Sequence, residues 1–125
     1  MKTSLRQVND HGVHYEALMF VCPGCATPYT MLDGTEHTPS GLHMLPVNSI
    51  AKTPQWDWDG NLEVPTLNPS ILTRIQPYDD QSAPLGVCHS YLRAGVFEFL
   101  GDCTHQFAGQ HVPMPHLPAW TIDEE

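Results

Sequence analysis

Positive charge is scarce in this chain. Lys2, Arg6, Lys52, Arg74 and Arg93 are scattered along it, and fourteen Asp and Glu residues bring the formal net charge to -9. A field of that sign repels phosphate backbones and anionic bilayers, so neither nucleic acid nor a membrane is expected as a partner. Eight histidines and a bound metal would offset part of it. Long apolar runs are also missing. The longest, residues 17–22, falls far short of the roughly 20 residues a membrane-spanning helix needs, and residues 1–10 contain no apolar signal core. A soluble, cytoplasmic protein is the expectation. Sustained helical periodicity is absent too, and twelve prolines, about twice the usual share, favour long loops over helices. A length of 125 residues leaves room for one core, so residues 1–125 are expected to form a single small, mainly β domain of antiparallel strands.

The strand signals are local and separate. Residues 12–21 (GVHYEALMFV) are rich in aromatic and β-branched side chains and run into Cys22-Pro23-Gly24-Cys25, a strand entering a tight turn. Residues 26–32 could form the returning strand before the turn signal Asp33-Gly34, which together would make a zinc knuckle. Residues 35–53 read as loop with a short strand near 42–47. Trp56 and Trp58 alternate with aspartates before Gly60-Asn61, as in one half of a β-hairpin. Residues 71–75 are apolar and β-favouring, and residues 77–84 are polar and acidic, a surface loop. Residues 87–100 (VCHSYLRAGVFEFL) make a hairpin about Arg93-Ala94-Gly95, with Val96, Glu98 and Leu100 on one face and Phe97 and Phe99 on the other. The proline-rich tail from residue 110 reads as an extended strap anchored by Trp120.

Four cysteines in a cytoplasmic chain, two of them in a Cys-x-x-Cys turn, suit a metal better than disulfides. The turn lets both sulfurs face one ion. Folding the late hairpin about Ala94-Gly95 sets Cys88 opposite Gly101 with Cys103 just beyond, so the second pair can meet the first. Cys22, Cys25, Cys88 and Cys103 are therefore the expected ligands of a structural Zn2+, with His105, His89 or His111 as substitutes for one cysteine. A plainer alternative leaves Cys88 and Cys103 as small buried hydrophobes. Thioredoxin-like redox chemistry would need Cys22 at a helix start, whereas the residues that follow favour a strand.

A second group of polar residues can converge at one end of the sheet: Ser70 after Pro69, His89 on the hairpin, and Asp102 and His105 just past it. A serine with a histidine base and an orienting carboxylate makes a hydrolase site. The same residues read equally as a turn serine and satisfied histidines, and spacing alone favours that plainer reading.

The ordered motifs Cys-Pro-Gly-Cys, Trp-Asp-Gly-Asn, Pro-Thr-Leu-Asn-Pro-Ser-Ile, Val-Cys-His-Ser-Tyr, Phe-Leu-Gly-Asp-Cys-Thr-His and Ala-Gly-Gln, spread over residues 13–115, resemble a family of small bacteriophage and prophage proteins labelled "ammonia monooxygenase". That label implies membrane copper chemistry, which a chain without an apolar span does not support. The family is distantly similar to the serine peptidase of bacterial ubiquitin-like conjugation operons. By that likeness Ser70 matches the nucleophile and His89 the hairpin histidine, while Asp102 is assigned as third member from its place opposite the start of the hairpin. The resemblance implies a zinc-stabilised phage or prophage peptidase or isopeptidase in the bacterial host cytoplasm, or associated with the virion, acting on a protein or peptide tail such as a ubiquitin-like one. Two other classes stay open: a non-catalytic zinc-binding adaptor or virion accessory protein, and a metal-dependent hydrolase using His89, His105 and Asp102.

Overall fold

The structure is a computed structural model, and it describes residues 1–48, 55–75 and 83–121. Strands β1 (Ser4–Asp10), β2 (Val13–Val21) and β5 (Leu42–Val47) form one antiparallel sheet in the order β1-β2-β5. A second sheet has the order β10-β9-β8-β7-β6, from β6 (Asp57–Trp58), β7 (Leu67–Ile75), β8 (Gly86–Arg93), β9 (Val96–Phe99) and β10 (His111–Pro113). The short strands β3 (Tyr29–Thr30) and β4 (Glu36–His37) pair with each other, and a single 3-10 turn at Ala119–Thr121 is the only helical element among the described residues. The mainly β, antiparallel expectation holds.

One core serves both large sheets. Leu18 and Phe20 of β2 and Val47 of β5 pack with Leu67 and Ile71 of β7, Leu92 of β8 and Phe97 and Phe99 of β9. The Phe20 and Phe97 rings, 5.9 Å apart, join the two sheets directly. Burial of each such side chain contributes roughly 1.5–3 kcal/mol. The late hairpin follows the period-2 pattern: Phe97 and Phe99 are buried, and Ala94 and Gly95 at its tip have φ of 50° and 77°. Left-handed backbone at both central positions matches the twist of a two-residue hairpin. The register pairs Ser90 with Phe99, which sets Cys88 opposite Gly101.

Two expectations change. The strand after the Cys-x-x-Cys turn shrinks to Tyr29–Thr30 and pairs with β4 rather than returning along β2, so the turn is held from the other side. Cys22 donates its backbone N–H to Gly41 C=O at 2.9 Å. Gly41 has φ of 75°, and a Cβ there would stand 2.6 Å from the Cys22 carbonyl oxygen, so glycine is required for that approach. The strap after β10 is anchored by Met114 and Leu117, both buried, whereas Trp120 is 74% exposed. Most of the acidic loop anticipated at 77–84 and the last four residues lie outside the described residues.

Candidate active site

Strand β8 carries two chemistries on opposite faces. Side chains alternate across a strand, so Cys88, Ser90 and Leu92 point into the core while His89, Tyr91 and Arg93 point outward. Adjacent residues Cys88 and His89 therefore face opposite sides of the strand, each toward a separate group of polar side chains.

On the outer face, Ser70 comes to His89 through an irregular stretch of β7. The pairing with β8 runs from Leu67↔Leu92 to Ile71↔Ser90, so Asn68, Pro69 and Ser70 are accommodated opposite Tyr91 alone. Such bulges re-aim side chains. The Asn68–Pro69 peptide within it is cis. Because Leu72 pairs with His89, Ser70 is the diagonal neighbour of His89 on the same face, and its Oγ lies 3.0 Å from His89 Nε2. On the other side of the ring, Nδ1 lies 2.9 Å from Asp102 Oδ2. A carboxylate accepts the Nδ1–H, which fixes the tautomer that leaves the Nε2 lone pair facing the serine hydroxyl. The His89 side chain is 23% exposed and that of Asp102 56% exposed, so the row opens to solvent.

Cys103 locks this row to the backbone. The His89 N–H donates to Cys103 Sγ and the thiol donates to His89 C=O, both at 3.2 Å, and burial pushes the thiol upward in pKa. Since Asp102 immediately precedes Cys103, the pair of bonds fixes the carboxylate relative to the ring it faces.

On the inner side, Cys22, Cys25 and His43 bring their ligand atoms within 4.8 Å of one another. His43 Nε2 lies 3.2 Å from Cys25 Sγ, and Cys88 Sγ lies 3.7 Å from Cys22 Sγ. Tetrahedral zinc with Zn–S near 2.3 Å and Zn–N near 2.0 Å requires S···S of about 3.8 Å and N···S of about 3.5 Å, close to both distances. Cys22, Cys25 and His43 could together hold a metal ion, and Cys88 lies beside them against Cys22. Their proton affinities are linked: hydrogen bonds from Cys22 and Cys88, with His43 beside it, lower the Cys25 thiol well below its usual range. Its bond to Cys25 and its burial push Cys22 up to about 12, and Cys88 is raised by its bonds to Cys22 and Cys25 and by burial.

The donors that come together at the Cys22–Cys25 turn differ from the four cysteines expected. His43, not Cys103, is the residue the fold brings to the Cys22–Cys25 turn. It arrives through the β2–β5 register, which pairs it with Phe20 two residues before Cys22, and its ring stacks on Phe20 with centroids 5.4 Å apart. A strand at 42–47 pairing back onto 13–21 was the signal that could have found it. His105 is held otherwise. Its Nδ1 accepts the Phe107 N–H at 3.1 Å, so Nε2 carries the proton and is not free to bind a metal; that atom is buried without a hydrogen-bond partner. Desolvation lowers its pKa. His111 lies on β10, paired with Glu98, and belongs to neither group.

No helix among the described residues is long and apolar enough to cross a membrane. No curated protein and no solved structure matches the chain. A family model does, over residues 2–100, described as bacterial ubiquitination-like system serine protease (BubE). The matched span contains Ser70, His89, Cys22, Cys25, His43 and Cys88, and Asp102 lies two residues past its end. With most of its length inside that match, the chain belongs to the BubE family of bacterial ubiquitination-like system serine proteases.

Proposed function

We propose that this protein is a serine peptidase or isopeptidase that cleaves at the tail of a ubiquitin-like protein, with Ser70 as nucleophile, His89 as general base and Asp102 as the group that orients the ring. The observation that carries this reading is the unbroken row Ser70 Oγ, His89 Nε2, His89 Nδ1 and Asp102 Oδ2, with both contacts at hydrogen-bond length. Ser70 Oγ attacks the scissile carbonyl while His89 Nε2 takes the hydroxyl proton, and Asp102 stabilises the imidazolium that forms. Collapse of the tetrahedral intermediate expels the amine, which takes that proton from Nε2, and leaves an acyl ester on Ser70. Water, deprotonated by the same nitrogen, then releases the acid and restores the serine.

The donor set Cys22, Cys25, Cys88 and His43 would hold a structural Zn2+. It ties the early turn, β5 and the inner face of β8 together, and so fixes the strand whose outer face presents His89. Opposite faces of β8 keep the metal away from the reacting atoms, which favours a structural over a catalytic ion. The resemblance to phage and prophage proteins is what supports reading this as an activity of an infected bacterial host.

Replacing Ser70 by alanine should abolish cleavage of a C-terminally extended ubiquitin-like protein, with metal content and melting temperature unchanged. Undiminished cleavage by that variant removes serine catalysis.

A further inference from the structure

Past Asn68, the outer edge of β7 has no partner strand among the described residues, since β6 pairs only Asp57 with Asn68 and Trp58 with Leu67. The register shows which backbone groups this leaves. On β8, His89 C=O accepts from Leu100 N–H and Val87 C=O from Thr104 N–H, so these residues turn toward β9 and Gly86, Cys88 and Ser90 turn toward β7. Their partners Ile75, Thr73 and Ile71 direct their bonds to β8, consistent with Leu85 N–H donating to Ile75 C=O. The N–H and C=O of Leu72 and Arg74 consequently point out of the sheet. Both residues are exposed. Ser70 C=O, in the same phase, is occupied by the Trp56 indole N–H at 3.3 Å.

The open edge thus begins immediately after the nucleophile and runs in one direction only, because Trp56 and β6 occupy the other side. The base lies over β8, on the opposite side of Ser70 from that edge, so a carbonyl can approach the Ser70 oxygen from the open side.

We infer that the substrate's extended tail adds to the edge of β7 as an extra strand antiparallel to it, bonding its main chain to Leu72 and Arg74 and delivering its carbonyl to Ser70. The inference rests on the serine peptidase reading and deepens it. In the antiparallel direction, the residues preceding the scissile bond lie along Leu72 to Arg74, and these are the residues an acyl-enzyme retains. Four steps of about 3.3 Å separate Ser70 from Arg74, so about five substrate residues are held. Main-chain pairing supplies affinity without demanding a sequence, and alternate substrate side chains face away from the sheet.

A sequence-neutral reagent isolates the effect: a hexa-alanine diphenyl phosphonate compared with its single-alanine counterpart. In each, Ser70 Oγ displaces phenoxide from phosphorus, and the adduct is read by mass. The hexapeptide should label wild-type Ser70 at least tenfold faster, and N-methylation should erase that gain at alternate residues only, the period-2 signature of a strand. Equal rates for the two reagents, or N-methyl effects without alternation, overturn the edge as a docking strand while leaving serine catalysis intact. Concentration-dependent dimerisation with equal rates would assign the edge to a second copy and also overturn it. No labelling of Ser70 by either reagent would fail the peptidase reading itself, and this inference with it.

Discussion

Replacing Asp102 by asparagine keeps the size of the side chain and removes its charge. In the wild type the carboxylate oxygen lies 2.9 Å from His89 Nδ1. Attraction between unit charges at that separation is about 1.4 kcal/mol at the dielectric of water and about 6 kcal/mol at an effective value near 20. Asp102 is 56% exposed and His89 only 23% exposed, so the pair lies between these limits and nearer the aqueous one, at about 3 kcal/mol. The charge is felt only when the imidazolium forms, so the loss should fall on kcat, by roughly 100-fold at about 1.4 kcal/mol per decade. This is a smaller loss than a buried triad suffers. The asparagine can also turn its NH2 toward Nδ1 and favour the wrong tautomer, which acts in the same direction. Steady-state cleavage of an extended ubiquitin-like substrate, with KM determined separately, measures the effect. A kcat within threefold of wild type would show that Asp102 does not orient His89 and would refute the reasoning.

Alanine at Cys22, Cys88 or His43 should release the metal and lower the melting temperature, while Cys103→Ala retains it; metal loss in the Cys103 variant would restore the four-cysteine set. Because Cys22 and Cys88 hold their protons in the metal-free protein, binding must expel two, so affinity should rise with pH by about 100-fold per unit and collapse in acid, a log–log slope near 2 in competition with a chelator. A flat profile would contradict ligation by those thiols. Gly24→Ala places a Cβ 2.5 Å from His105 Nε2 and 2.6 Å from Phe99 Cε1, inside a ring pair with centroids 4.8 Å apart, and should cost about 1–3 kcal/mol in denaturant unfolding; wild-type stability would show that these rings can yield.

What the sequence made legible was local. Aromatic and β-branched content in 13–21 and alternation in 87–100 set β2 and the late hairpin, and the hairpin register set Cys88 opposite Gly101 because a two-residue turn leaves no freedom in which residues face each other. Ser70 and His89 were matched through resemblance, and the fold places them 3.0 Å apart through a bulge that no strand pattern announces. His43 was missed because its place depends on β5 pairing with β2 across a turn-rich segment: the strand at 42–47 is legible, while its non-local partner is not. Cys103 was assigned to the metal because its spacing allowed it. What spacing cannot specify is the direction of a thiol, which here turns to the His89 backbone.

The most direct measurement is reaction of the wild-type protein with a fluorophosphonate, followed by peptide mapping of the adduct by mass. A single adduct on Ser70, abolished by His89→Ala in a variant that still binds its metal, is the expected result. Wild-type protein that remains unlabelled, or carries the adduct on a different hydroxyl, would contradict the account.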